Sequence, residues 1–320
     1  MCLRLALLAF ALFILQMESA AAQSCSFSNT GVDFGNVNLT SGGIQTATGT
    51  FTASCSGTRG QTVRVCANFN AGSGGVAASG DPRYLLQGAT RLSYNLFKSN
   101  GVGQVWGSYT WSPAPRPPAI SVTLAANGTG SVSTTIYGRL YNSQSTLPTG
   151  TFTSLFSGTH TQIDYGYSAS FNCSATLSSR VQNVPFIVRA TNNSACTVVT
   201  TALDFGSQTD LTVTYDAANS IAVTCTAGTV YEVGLNGGLS GAADPTQRRM
   251  TNAATPLYVA YGVYRDAART QPWGSTSGSN TTSATGTGSA QTLTGYGRVP
   301  AQATPNALTY TDTVVVTVTY

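Results

Sequence analysis

The chain has 320 residues, of which 42 % are apolar, so it is long enough for two domains with a core each. Charged residues make up only 8 %, against about 25 % in an average protein. The net charge of +4 is spread thinly, and Arg248 and Arg249 are the only adjacent basic pair, which argues against a nucleic-acid partner.

The first 22 residues resemble a secretory signal peptide. Arg4 supplies the positive start, residues 5–15 form an apolar run too short to span a bilayer, and Ala20, Ala21 and Ala22 offer a cleavage site. No later segment is apolar enough for a transmembrane helix. We therefore expect export through the periplasm to the cell surface, and disulfides in an oxidising compartment.

One sequence pattern occurs twice. "CSFSNTGVDFGN" begins at Cys25 and "CTVVTTALDFGS" begins at Cys196, each with Asp-Phe-Gly eight residues after the cysteine. A second cysteine, a Trp-Gly pair and a Tyr-Gly-Arg triplet follow in the same order in both copies. Since the order is kept over more than a hundred residues, the pattern indicates a tandem duplication of a domain.

The duplication also predicts the disulfides. The second copy holds only two cysteines, so these two should bond, and their counterparts in the first copy should do the same. The two remaining cysteines would form a third bridge, with two free buried thiols as the alternative. The predicted pairs are Cys25–Cys55, Cys66–Cys173 and Cys196–Cys225.

β-branched and aromatic runs alternate with Gly, Asn and Pro clusters along both copies, without sustained helical periodicity. This pattern predicts an all-β protein of two tandem immunoglobulin-like antiparallel β-sandwiches. The expected organisation is a signal peptide (1–22), an N-terminal binding domain (23–175), a linker (176–185) and a C-terminal domain (186–320).

The ordered set of motifs resembles the spore coat protein U domain family, which includes subunits of archaic (Csu-type) chaperone–usher pili. The resemblance implies that the C-terminal domain is an incomplete pilin domain that needs a donor strand. Its implied partners are a periplasmic chaperone, an outer-membrane usher and an adjacent pilin that donates an N-terminal strand.

The last strand, "DTVVVTVTY", is the segment expected to take part in these subunit contacts. Alternation places Val314, Val316, Val318 and Tyr320 on one face. An uncovered edge strand is an aggregation hazard, which strand addition would remove. The residues alone equally allow a complete sandwich whose last strand is simply C-terminal.

The mature chain would have only a residue or two before Cys25. We therefore expect a subunit that accepts a donor strand but has none to donate, which would place it at the pilus tip. The resemblance then implies a two-domain tip adhesin, with the N-terminal copy binding and the C-terminal copy joining the shaft.

The first copy carries an aromatic, proline-rich insertion. Trp106 and Tyr137 are 31 positions apart, whereas Trp273 and Tyr296 are 23 apart, and the extra eight residues lie in or beside "VWGSYTWSPAPRPPAI". Proline stiffens a loop, and aromatic side chains are enriched in binding hot spots. The predicted binding residues are Trp106, Tyr109, Trp111, Pro113, Pro115, Pro117, Pro118, Ala119 and Ile120. The alternative is a loop that folds back over its own sandwich.

The residues offer little for catalysis. The mature chain has one histidine, His160, and no specific catalytic set or metal-ligand spacing around it. We expect no enzyme activity, no cofactor and no metal. The predicted function is a non-enzymatic tip adhesin for attachment and biofilm formation on abiotic or host surfaces; the alternatives are a sugar-binding pilus lectin and a secreted structural coat protein.

Overall fold

The computed structural model describes residues 22–100, 103–109, 115–173, 177–178 and 180–320. The expected signal peptide therefore lies outside the described residues, apart from Ala22. The chain forms two compact units. The first comprises the described residues of Met1–Gly35, Gln45–Leu140 and Phe152–Ala190, and the second those of Asn36–Ile44, Tyr141–Thr151 and Thr191–Tyr320.

The first sandwich contains twelve strands in two sheets. An eight-stranded sheet has the order β1-β3-β8-β6-β5-β9-β12-β2 and a four-stranded sheet the order β11-β10-β4-β7. The strands are β1 (Ser24–Asn29), β2 (Val32–Val37), β3 (Thr46–Ser56), β4 (Thr62–Phe69), β5 (Arg83–Gln87), β6 (Thr90–Phe97), β7 (Ala119–Thr123), β8 (Thr129–Leu140), β9 (Gly150–Phe156), β10 (Thr161–Gly166), β11 (Val181–Asn183) and β12 (Phe186–Asn192).

The second sandwich contains eight strands. A five-stranded sheet has the order β13-β14-β19-β17-β16 and a three-stranded sheet the order β18-β15-β20. The strands are β13 (Cys196–Thr200), β14 (Tyr215–Cys225), β15 (Val230–Leu235), β16 (Arg248–Asn252), β17 (Thr255–Tyr264), β18 (Thr282–Thr285), β19 (Ala290–Val299) and β20 (Val316–Thr319).

Alternation along the strands builds both cores and explains the low charge of the surface. In β3, Phe51, Ala53 and Cys55 are buried, while the residues between them lie on the other face. There Thr52 and Ser54 pair through their hydroxyls with serines of β8. Short hydroxyl side chains satisfy one another across the sheet, so few charges are needed there. The predicted fold class, tandem antiparallel β-sandwiches, is confirmed.

Within the described part of the chain, the helical elements are the short 3-10 turns Leu39–Ser41 and Gly158–His160. No helix there is long and apolar enough to cross a membrane.

The three predicted disulfides are present. Cys25 lies directly opposite Cys55 in the β1–β3 register, and Cys196 lies opposite Cys225 in the β13–β14 register, so the same bridge opens both sandwiches. The third bridge, Cys66–Cys173, joins β4 to the loop before β11. The alternative of two free thiols is therefore excluded.

The expected linker (176–185) and the domain boundary at residue 186 are wrong, because β11 pairs with β10 in the first sandwich and the next strand joins the same sandwich. β12 lies in the eight-stranded sheet of the first sandwich, between β9 and β2. Its alternate residues Phe186, Val188 and Ala190 are buried there. Alternation identifies a half-buried strand but not the sheet that it joins, because the partner strands are distant in sequence.

Candidate functional site

In the first unit, β12 closes the sandwich. The Phe186 ring stacks on Phe156, with 4.4 Å between ring centroids, and meets Phe69 edge-to-face at 4.8 Å. Such aromatic pairs add to the free energy of apolar burial. We call β12 the closing strand, because it covers the core between β9 and β2.

The exposed face of the closing strand makes an ion pair with β2. Arg189 donates to Asp33 Oδ2 from Nε at 2.9 Å and from Nη2 at 2.7 Å. The other oxygen of Asp33 accepts the backbone N–H of Gly35, which forms a tight turn. The hydrogen bond from Arg189, assisted by that from Gly35, lowers the pKa of the Asp33 carboxyl.

In the second unit, residues 203–208 take the place that β2 has in the first unit. A Cβ at Gly138, in the first Tyr-Gly-Arg, would lie 2.6 Å from a side-chain atom of β2. A Cβ at Gly297, in the second Tyr-Gly-Arg, would lie 2.7 Å from Leu203 and 2.8 Å from Phe205. Residues 203–208, which contain the second Asp-Phe-Gly, therefore occupy the position of β2 without forming a strand.

A second segment occupies the position of β9. In the first unit, Leu86 of β5 pairs with Thr153 of β9. In the second unit, Thr251 of β16 forms an isolated bridge to Thr311. The two segments that flank the closing strand in the first unit thus have counterparts in the second.

Between these counterparts the second unit has an open groove of about 1060 Å³, and no strand of the described residues fills it. Its apolar lining includes Leu203, Phe205, Ile221, Leu235, Val259 and Val263.

At the groove wall the Tyr261 hydroxyl donates to Asp312 Oδ2 at 2.8 Å. The pKa of Tyr261 is raised mainly by burial and further by the Asp312 carboxylate. Because Asp312 Oδ1 also accepts the backbone N–H of Leu239, this side chain links the groove wall to the loop after β15.

The final strand lies beside this groove. Val314, Val316 and Val318 are half-buried against the core of the second unit, as the alternation predicted. Tyr320 does not share that environment, since it is 59 % exposed. β20 pairs with β15 and is an edge strand of its sheet, whereas its counterpart β10 is covered by β11.

The structure separates the predicted binding loop into buried and accessible residues. Trp106, Pro117 and Ile120 are buried, so their assignment to a binding surface is wrong. Trp111 and Pro113 lie outside the described residues. The accessible part comprises Pro115 and Ala119, both exposed, and Pro118, which is half-buried.

Each unit has a buried Trp that anchors its core, and in the first unit this residue is Trp106. Its indole N–H donates to the Ala67 carbonyl at 2.8 Å, and its own carbonyl accepts from the buried Arg83 guanidinium at 2.8 Å. Trp273 and Arg248 make the same contacts in the second unit. The repetition of Trp-Gly in both copies was the sequence signal for this structural role.

The base of the loop is held by polar contacts. Half-buried Tyr109 donates through its hydroxyl to Asp164 of β10, and its backbone N–H donates to Asn68. Burial and the Asp164 carboxylate raise the pKa of Tyr109. A Cβ on Gly107 would lie 1.9 Å from the Pro115 carbonyl oxygen, so the two arms of the loop meet closely there. Tyr109 thus positions the loop.

His160 ends a 3-10 turn, where its carbonyl accepts the backbone N–H of Asn70. Burial lowers the pKa of its imidazole. Among the described residues, no group of three or more His, Cys, Asp or Glu is placed to hold a metal ion.

Comparison with known proteins identifies the family. The model of the Spore Coat Protein U domain matches residues 11–159 and 182–317, and the chain belongs to this family. The second match begins at residue 182, although the structure assigns β12 to the first sandwich.

A curated relative and a solved structure are similar to the chain. Protein U of Myxococcus xanthus is 38 % identical over 105 residues, which span 32 % of this chain and 58 % of that protein. A chain in the crystal structure of the CsuC–CsuE chaperone–tip adhesion subunit pre-assembly complex, from archaic chaperone–usher Csu pili of Acinetobacter baumannii, is similar in fold. The TM-score is 0.55 at 17 % identity, covering 93 % of this chain and all of that one.

Proposed function

We propose that the protein is a non-enzymatic adhesin subunit at the tip of a chaperone–usher pilus. The second unit would accept a strand from a periplasmic chaperone and then from an adjacent pilin, on the way through an outer-membrane usher. The first unit would contact an abiotic or host surface and support biofilm formation.

The observation that carries this proposal is the difference between the two units. The same two flanking segments enclose the closing strand in the first unit and the open groove in the second. An apolar groove between two segments that enclose a strand in the other unit is a geometry that strand addition fills, with backbone hydrogen bonds for affinity and side-chain pockets for specificity. The family and the similarity in fold to a tip adhesion subunit complex support the same assignment.

Strand acceptance is tested by co-expressing the mature chain with a chaperone from a chaperone–usher system. We expect a soluble one-to-one complex, and a low yield of soluble chain without the chaperone. Val263→Asp places a charge inside the groove and should abolish the complex. Leu257→Asp lies at an exposed position of the same strand and should leave the complex intact. A stable monomer with no affinity for a strand would instead favour the secreted coat protein.

The binding role of the loop is tested separately on the assembled protein. We expect Trp111→Ser with Pro115→Ser to reduce attachment to a hydrophobic surface severalfold, because Pro115 is exposed and tryptophan is enriched in binding hot spots. Leu239→Ser is the control, since Leu239 is 73 % exposed but lies in the second unit. Attachment that free sugars block would favour the lectin instead, and unchanged attachment of the loop variant would remove this loop from the site.

A further inference from the structure

We propose that the strand accepted by the open groove carries a basic residue that pairs with Asp204. This inference rests on the proposed strand acceptance and adds the chemistry of the partner. The partner is a strand donated by a neighbouring subunit, with apolar residues at alternate positions and Arg or Lys between the second and third of them.

Asp33 and Asp204 are equivalent residues of the two units. Both precede Phe-Gly in the repeated phrase, and in each the carboxylate accepts the backbone N–H two residues later, at 2.9 Å in the first unit and 2.8 Å in the second. Both segments pack under the glycine of a Tyr-Gly-Arg. The backbone therefore presents the two carboxylates in the same way.

The two carboxylates differ in their ion-pair partners. Asp33 pairs with Arg189 of the closing strand, whereas no cation of the described residues lies within ion-pair distance of Asp204. Asp204 borders the open groove. A strand that enters the groove as β12 enters its own site would bring its fourth residue, the counterpart of Arg189, to this carboxylate.

The inward side chains set the register of the accepted strand. In the first unit Phe186 packs between Phe69 and Phe156. Phe69 lies two residues after the carbonyl that accepts the Trp106 indole, and Leu235 lies two residues after the carbonyl that accepts the Trp273 indole. Phe156 and Val314 each lie three residues after the bridging threonine of their unit. Leu235 and Val314 are therefore the counterparts of Phe69 and Phe156. These smaller residues line the groove, so it has room for a large apolar side chain at the first inward position. That anchor fixes which residue faces Asp204.

The experiment measures binding of synthetic peptides to the full mature chain. One peptide carries FIVRATN, the sequence of the closing strand; a second has its arginine replaced by glutamine, and a third is scrambled. We expect the arginine peptide to bind roughly two- to fivefold more tightly than the glutamine peptide at low salt, as is typical of exposed ion pairs. Arg189 and Asp33 are 60 % and 49 % exposed, which sets this modest scale.

Variants assign the difference to one carboxylate. Asp204→Asn keeps an oxygen for the turn but removes the charge, and should make the two peptides bind equally. Asp210→Asn is the matched control, because Asp210 also borders the groove and accepts the N–H of Thr212 in a similar turn. With this control the preference for the arginine peptide should persist. If the chain aggregates without a strand, the same comparison is made on melting temperatures, with each strand fused behind Tyr320 through a flexible linker.

The possible failures are distinguishable. Equal binding of the arginine and glutamine peptides to the unmodified chain would overturn the ion pair and leave strand acceptance intact. If neither peptide binds better than the scrambled one, and neither fusion raises the melting temperature, strand acceptance itself fails, and the proposed function with it.

Discussion

At the scale of single residues, positions shared by the two copies build the core, and positions that differ mark where the units have diverged. Arg83 and Arg248 are buried, and each guanidinium donates to several backbone carbonyls, among them that of the adjacent Trp. A planar group with five donors suits such a set of acceptors. The shared Arg–Trp contact explains why Trp106 belongs to the core and not to a binding surface.

Replacing Trp106 tests this role. We expect Trp106→Phe to lower the free energy of unfolding of the first unit by about 2–4 kcal/mol, because the Ala67 carbonyl loses its donor and a small cavity is left. Tyr320→Phe, at a residue that is 59 % exposed, should leave stability unchanged. Chemical denaturation measures both, and a Trp106→Phe protein of full stability with weakened attachment would contradict a structural role.

Tyr94 predicts a dependence of stability on pH. Burial raises its pKa to about 12 from the usual 10, despite the opposing effect of Arg83. Below pH 10 both states keep the proton. Between pH 10 and 12 only the unfolded state releases it, so the free energy of unfolding should fall by roughly 1.4 kcal/mol per pH unit from this group.

Tyr94→Phe should therefore flatten the decline in stability above pH 10. Urea unfolding between pH 8 and 11.5 gives the two slopes, and the other tyrosines contribute equally to both proteins. Equal slopes would show that Tyr94 is not the group responsible.

At the scale of elements, the closing strand decides whether a sandwich is complete. It buries Phe186, Val188 and Ala190 on one face and uses Arg189 on the other. The Cys66–Cys173 disulfide fixes the loop that leads to it. Without these contacts a groove would remain between β9 and β2, as one does between the corresponding segments of the second unit.

Removing the aromatic anchor of this strand should therefore open the first unit. We expect Phe186→Ala to cost about 3–5 kcal/mol, typical of truncating a buried phenylalanine. Ile187→Ala is the control, because Ile187 neighbours Phe186 in the strand but is 51 % exposed. Binding of a dye specific for exposed apolar surface and denaturant unfolding measure the effect. Equal costs for the two variants would contradict the closing role.

At the scale of the whole molecule, one copy of the fold contains its closing strand and the other copy lacks it among the described residues. The first unit holds its closing strand within the chain, and the second leaves the corresponding groove open. An intramolecular strand needs no partner to be present, so the first unit should fold independently of any other subunit. The second should depend on what occupies its groove.

Calorimetry of the mature chain should accordingly show two transitions. We expect the lower one to belong to the second unit and to rise when a peptide with the sequence of the closing strand is added, since a ligand stabilises the state that binds it. The upper transition should not move with peptide, but should fall in Phe186→Ala. A single transition that the peptide leaves unchanged would contradict independent, unequal units.

Much of the fold followed from the chain alone, and the repeat was the reason. Two cysteines in the second copy were enough to pair all six, because equivalent positions form equivalent bonds. The prediction for the loop around Trp106 succeeded less well. It counted Trp106 among the binding residues, although Trp-Gly occurs in both copies.

The sequence by itself determined that this protein is a duplicated, disulfide-bonded all-β member of its family, because cysteine order and strand periodicity are local or repeated signals. Only the tertiary structure decided that residues 186–192 close the first sandwich, that Trp106 is buried, and that the second sandwich has an open groove. Those outcomes depend on which distant strands meet. Alternation specifies that a strand has a buried face, but the identity of its neighbours comes from the packing of the whole sheet.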